Sequence, residues 1–407
     1  MAFNYLNGVQ VGKENWDGGN PNYAAGPRQA WRLFYLWLTK VVGWASVDTQ
    51  GSRWDSPEET GVDGATDASI PYKFTSATAD FVTNCIIGDH LLVCPTAAPA
   101  TAGGFTDATR NGFYQINRIV DANTVYVDIW NGVDVTGFPL GESGLNFEVH
   151  RFSDPANTLP QNDDFWVARG TGTGGDFDLR CLNNSVGNYG FAKFSISPWD
   201  DWDAVAHAWK TPPRHTTETY IGNEPSTDLC WCYGFADLTQ AVFYYKGFEW
   251  NLSSKYPQYW YFGDIEPFNG GDDPRPVVLI YGSPGNSTLE NQLNYMQNNV
   301  RMVSHDLTVV DNGKLIKPTF YNGNNTALLA TSTRNRSFYS GKLMQLPILV
   351  GYASAGQTEL RGRLKNVYIT STYGARFMTP IGATLDVMKF GDLTFPWNGS
   401  KQYRYIY

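Results

Sequence analysis

The stretch GFYQINRIVDANTVYVDIW (112–130) places apolar residues on alternate positions, breaks at Asp121-Ala122-Asn123, and then alternates again. A period of two suits a half-buried strand, and two such runs around a short polar turn predict a β-hairpin. Tyr114, Ile116 and Ile119–Val120 would face inward on the first strand, with Val125, Val127 and Ile129 on the second. DHLLVC (89–94) before it and LNFEVHRF (145–152) after it add further short strands, separated by the Pro/Ala/Gly loop PTAAPATAGG. Together they predict a small β-barrel or sandwich domain over 65–152.

The rest of the chain repeats the pattern on a larger scale. A polar linker, SDPANTLPQNDD (153–164), leads into DFWVARGTGTGGDFDLRC, whose glycines read as a bent hairpin. No Lys-Ser/Thr follows them, as a phosphate-cradling loop would require. QAVFYYKGF, YWYFGDI, PVVLIYG, LPILVGY, RLKNVYIT and KQYRYIY continue as strands to the end. Residues 153–407 therefore predict a larger β-sandwich-like domain.

A helix interrupts this regime near the start. In GPRQAWRLFYLWLTKVVGW (26–44), Gly26 serves as N-cap, Pro27 takes the first helical position and Gly43 marks the end. Ala30, Trp31, Phe34, Trp37, Leu38 and Val41 share one face, and Leu33 and Leu36 widen it, so the helix should be largely buried. Residues 1–64 thus form an N-terminal arm and helix. A second, short helix is expected at DDWDAVAHAW, with Asp201 as cap and Trp202, Val205, Ala206 and Trp209 on one side. The fold class is mainly β with one N-terminal helix.

Composition narrows the partners. A net charge of −9 lacks the clustered Lys and Arg that phosphate contacts require, so no direct nucleic-acid partner is expected. The most apolar run, 30–47, carries Arg32 and Lys40 and is a poor membrane span. No basic-then-apolar leader opens the chain, which reads as made in the cytoplasm. The five cysteines are too few for a disulfide scaffold; Cys85 and Cys94 could meet across neighbouring strands but read as reduced core thiols, and CWC (230–232) is a weak metal signal. Aromatics reach 15% while charged residues stay at 17%, against roughly 25% in typical soluble domains. A Tyr- and Trp-rich, charge-poor chain of this kind suits contact with other proteins and a homo-oligomer.

One acidic stretch raises a question of chemistry. YWYFGDIEPFNGGDDPRPVVLIYG (259–282) carries Asp264, Glu266, Asp272 and Asp273 between two strand patterns. Asp264 and Glu266 lie two apart and would share a strand face, as a glycosidase pair could. Oxygen-rich loops also hold calcium, although the regular Asp-x-Asp-x-Asp-Gly register is absent. Asp beside Gly and Pro is equally ordinary turn chemistry, and a solvated structural turn is the leading reading. On the calcium alternative, Asp264, Glu266, Asp272 and Asp273 are the ligands; no other cofactor is expected. WDDWD (199–203) sets Trp199 and Trp202 beside acids, the arrangement a glycan-binding surface would use. No paired histidines and no G-x-S-x-G elbow point to a zinc or serine enzyme.

The order GDHLLVC, GFYQINRIVDANTVYVDIW, GLNFEVHRF, DDFWVARGTG, PWDDWDAVAHAW, YWYFGDIEPFNGGDDPRPVVLIYG and RGRLKNVYITSTYG resembles virion structural proteins of tailed bacteriophages. The resemblance is one of pattern and spans most of 28–407. It implies a non-enzymatic particle component, on the capsid surface or in the tail or baseplate, whose partners are other virion proteins. A glycan-binding receptor or adhesion protein of the virion is the alternative, and a glycoside hydrolase resting on Asp264 or Glu266 comes third.

Overall fold

The computed structural model describes residues 4–12, 25–51, 54–93, 103–107, 110–127, 138–152, 163–183, 192–210, 217–221, 229–247, 258–268, 273, 275–282, 300–302, 313–316, 345–354, 357–370, 379–381, 387–390 and 393–396. Along the chain these form β1 (Asn4–Gly12), α1 (Ala25–Leu36) running into a π-helical turn (Trp37–Val42), β2 (Ala45–Gln50), β3 (Glu59–Thr66) and β4 (Lys73–Thr75). A single helical turn, α2 (Phe81–Asn84), precedes β5 (His90–Val93), β6 (Gly112–Asp121), β7 (Thr124–Val127) and β8 (Ser143–His150). Next come β9 (Phe165–Gly172), β10 (Gly175–Asn183), β11 (Ala192–Ser197), β12 (Trp202–Asp203), β13 (Ala208–Trp209) and β14 (Thr217–Ile221). The larger sheet takes β15 (Leu229–Ala236), β16 (Gln240–Gly247), β17 (Gln258–Pro267), β18 (Val277–Gly282), β19 (Val300–Met302) and β20 (Gly313–Ile316). It continues with β21 (Gln345–Ser354), β22 (Gln357–Thr370), β23 (Thr379–Ile381), β24 (Val387–Phe390) and β25 (Leu393–Pro396). The molecule is mainly β, as its alternating patterns require.

Three sheets organise the architecture. β3-β4-β7-β6-β5-β8 close into a six-stranded barrel. Its first strand begins at Glu59, six residues ahead of the boundary expected at 65. Of the expected inward positions, Tyr114, Ile116, Val125 and Val127 are buried in its core with Phe74, Phe81 and Phe147, and Ile119 packs against it partly buried; Val120 instead is exposed, and Ile129 lies outside the described residues. A five-stranded sheet runs β14-β11-β10-β9-β2, and a twelve-stranded sheet runs from β1 through β15–β22 to β25-β24-β23.

The helix α1 lies between the two larger sheets. Trp31 packs against Phe194 of β11 at 5.4 Å and against Trp260 of β17 at 5.0 Å, so one side chain touches both layers. Phe34 does the same, stacking on Phe243 of β16 at 4.4 Å and meeting Trp166 of β9 at 5.7 Å. This explains the breadth of the apolar stripe: Trp31, Leu33, Phe34, Leu36, Trp37 and Leu38 are all fully buried. Gly43 ends the helix at φ 100° and donates its N–H to the Leu38 carbonyl, a left-handed cap that glycine adopts without strain. The N-terminal residues are therefore no separate arm. β1 pairs antiparallel with β15 along its length, with a bulge between Asn7 and Val9 that puts Leu6, Val9 and Val11 into the core.

The short helix expected around 200–209 is a correction. That segment is a two-residue-per-strand hairpin in which Trp202 pairs with Trp209, their rings 4.9 Å apart. The Asp203 carboxylate accepts the N–H groups of Val205 and Ala206, and His207 sits at φ 52°, so local side-chain bonding outcompetes the helix. Val205 is consequently 92% exposed and never part of an apolar face.

A buried ionic junction ties the barrel to the helix. Lys40 donates to both oxygens of Glu148 at 2.7 and 2.8 Å and pairs with Asp55. Burial opposes the Lys40 charge, but the two carboxylates outweigh it and raise its pKa. Arg32 donates to the carbonyls of Ser56 and Arg151 and lies 3.4 Å from His150 Nδ1. His150 is wholly buried, and its other nitrogen meets Glu148 at 2.8 Å. Desolvation pushes its pKa down to about 4 despite Glu148, with Arg32 adding to the depression. Facing a guanidinium on one side and a carboxylate on the other, the neutral ring takes the tautomer with Nε2 protonated, donating to Glu148.

Candidate functional site

The acidic stretch of β17 lies where the twelve-stranded sheet folds back on itself. Over 258–263, β17 pairs with β16, ending at Gln240 opposite Gly263. From Ile265 it pairs instead with β22, through Ile265–Leu364, Glu266–Arg363 and Pro267–Gly362. Because β17 also pairs with β18, the strand order 17-18-19-20-21-22 returns to its start. Gly263 makes the change of partner local. It sits at φ 112°, and a Cβ there would lie 2.3 Å from the Thr239 carbonyl oxygen.

Each described acid of the stretch meets its own cation on β22. Asp264 Oδ2 lies 3.4 Å from Lys365 Nζ. Glu266 accepts both arms of Arg363 at 2.8 Å. Asp273 accepts both arms of Arg361, with Nε at 2.9 Å. Arg361, Arg363 and Lys365 alternate along one strand, so a row of cations faces a row of anions across the seam. Burial grades the row: the Asp273–Arg361 side chains are 3% exposed on both sides, whereas those of Glu266 and Arg363 are about half exposed. The Arg363 bond holds the Glu266 carboxyl below its usual pKa.

This placement corrects the picture of a solvated acidic turn. Asp264 is fully buried and the Asp273 side chain nearly so; of the described acids only Glu266 stands in solvent. Asp272 lies outside the described residues. Among the described residues, no three His, Cys, Asp or Glu side chains gather in a group able to hold a metal ion. Asp264 and Glu266 do not form a matched acid and base, since they turn to different cations.

A polar cluster backs the buried end of the seam. Thr173, at the tip of the β9–β10 hairpin, donates its N–H and, at 2.7 Å, its hydroxyl to Asp264 Oδ2. Gly172 permits this approach, because a Cβ there would stand 2.4 Å from Asp264 Oδ1. The glycines of GTGTGG are thus packing and turn residues, as a bent hairpin demands. The Tyr261 hydroxyl donates to the Asp264 carbonyl and lies 2.9 Å from Gln240 Oε1; burial holds its pKa well above the usual phenol value. Lys365 Nζ donates to Thr239 Oγ1 at 3.3 Å, and that hydroxyl donates to Asp237 Oδ1 at 2.8 Å.

The tryptophans of WDDWD have separate fates. Trp202 is 3% exposed, with its Nε1 donating to Asp48 at 2.7 Å, and offers no free face to a sugar. Trp199 is half-buried, with the Arg275 guanidinium 5.6 Å over its ring. Asp178 of β10 takes a bidentate bond from Arg169 and the N–H of Trp202. Cys85, Cys181 and Cys232 are buried, and burial pushes the Cys85 thiol up to about 12. Cys94 lies outside the described residues.

Sequence reasoning missed the cations. RGRLK (361–365) alternates charge with the same period as DIE (264–266), and matching those two periods was the signal available. A comparison with protein-family models matched none, and a comparison with curated proteins found no match.

Proposed function

We propose that this chain is a non-enzymatic structural component of a tailed-phage particle, acting by docking on other virion proteins at the capsid surface or in the tail or baseplate. The observation that carries the reading is a set of large aliphatic side chains standing out to solvent on an ordered frame. Val82, Ile86 and Ile87, on α2 and the loop behind it, are 60%, 47% and 66% exposed within one short segment of the barrel wall. Large apolar side chains exposed together within six residues suit a contact surface. The order of segments that resembles virion proteins supports the same reading. The wealth of aromatics does not add to it, since most of the described ones fill the core between the sheets.

The test is the mass of the purified chain by light scattering over a concentration series, with and without calcium, beside its presence in purified particles. Self-association or particle incorporation that Ile87→Asp abolishes is the expected result. A strict monomer absent from particles overturns the proposal.

A further inference from the structure

The buried end of the seam carries an arrangement that an ion pair alone does not need. Lys365 and Asp264 sit on adjacent strands, one step beyond the registered pair Ile265–Leu364. Their side chains touch, Nζ to Oδ2 at 3.4 Å, and the carboxylate is wholly shielded from water. The two carboxylate oxygens are treated differently. Oδ2 receives both donors of Thr173, whereas Oδ1 is buried with no hydrogen-bond partner among the described residues. A buried anion normally keeps both oxygens satisfied. The lysine also has a proton path, from Nζ to Thr239 Oγ1 and from that hydroxyl to Asp237 Oδ1.

We propose that Lys365 and Asp264 condense within the folded chain to an isopeptide bond that staples β17 to β22. A proton leaves the Lys365 ammonium through Thr239 toward Asp237, freeing the Nζ electron pair to form the N–C bond at Asp264 Cγ. Charge gathers on Oδ2, where the Thr173 N–H and hydroxyl stand as an oxyanion hole. The C–Oδ1 bond then breaks, and Oδ1 departs as water with two protons: one from Nζ directly, and the one returned from Asp237. One ammonium and one carboxylate become one amide and one water, with no change of net charge and no oxidant or reductant. Oδ1 forfeits no hydrogen bond to the described residues on leaving. Fixing amine and carboxyl in contact on neighbouring strands supplies the proximity that makes such an amide accessible without an enzyme. The inference is independent of what the protein docks on.

The test is the intact mass of the natively purified wild-type chain, measured after full denaturation, with a peptide map. The expected mass is lower than that of the sequence by one water, with a branched peptide joining the segments that contain Asp264 and Lys365. Lys365→Arg keeps the cation and removes the amine, and it should show its full sequence mass. Asp237→Asn should slow the appearance of the lighter species when denatured chain is refolded, while the bond still forms at the same two residues. A wild-type chain of full sequence mass whose two peptides always separate overturns the proposal, whether or not either variant folds.

Discussion

The six-stranded barrel and the seam at β17–β22 both close a sheet, and they do so by opposite means. The barrel closes over an apolar interior in which Phe74, Phe81 and Phe147 pack edge to face, and hydrogen bonding runs round the whole ring. The seam closes through three registered residue pairs and draws on three ion pairs between β17 and its following loop on one side and β22 on the other. Apolar closure tolerates approximate fit, because burial is non-directional. Ionic closure depends on geometry, and its strength tracks how deeply each pair is buried. The difference predicts where the molecule breaks first.

The largest effect should come from the core shared by both outer sheets. Trp31→Ala removes a side chain that touches β11 and β17 together, at a cost of about 3–5 kcal/mol. Hydrogen exchange should show protection lost in both larger sheets, with the barrel amides retained. Phe147→Ala should do the reverse, since its partners Phe74 and Phe81 lie within the barrel.

Next in size is the pH dependence of the barrel junction. His150 is held neutral down to about 4, against 6.5 for the free group, so the unfolded chain binds the extra proton first. The junction's contribution is therefore complete above 6.5 and is lost as pH falls from 6.5 toward 4, by on the order of 3 kcal/mol. Urea unfolding across that interval should show the decline, and His150→Gln should flatten it. The smallest effect belongs to the exposed end of the seam. Glu266→Gln should cost about 0–1 kcal/mol in denaturant titrations, less as salt is added.

The same contrast governs what could be read in advance. The hairpin of β6 and β7 was legible because Tyr114 and Ile116, then Val125 and Val127, alternate around a polar turn, although the pairing shifts register after Ile116 and after Ile119. The helix was legible because Pro27 and Gly43 bracket a broad apolar stripe. β1 was not, since its bulge breaks the alternation of Leu6, Val9 and Val11 and its partner lies more than two hundred residues on. The hairpin around Trp202 and Trp209 imitates a helical spacing, and only the Asp203 turn and the left-handed His207 reveal it. Asp264, Glu266 and Asp273 stand out in the sequence, but their partners come from a strand about ninety to a hundred residues away. Charge complementarity between distant strands leaves only a matching period behind.

If the acidic stretch is a clasp, a double-mutant cycle on its buried pair should reveal it. Asp273→Ala, Arg361→Ala and the double variant would be compared by denaturant unfolding. The account predicts strong non-additivity: each single change strands a buried charge, and removing the second partner recovers about 1 kcal/mol or more of the summed loss. Two small effects that simply add would mean that the pair closes nothing, and that the acids of this stretch serve some purpose other than holding β17 to β22.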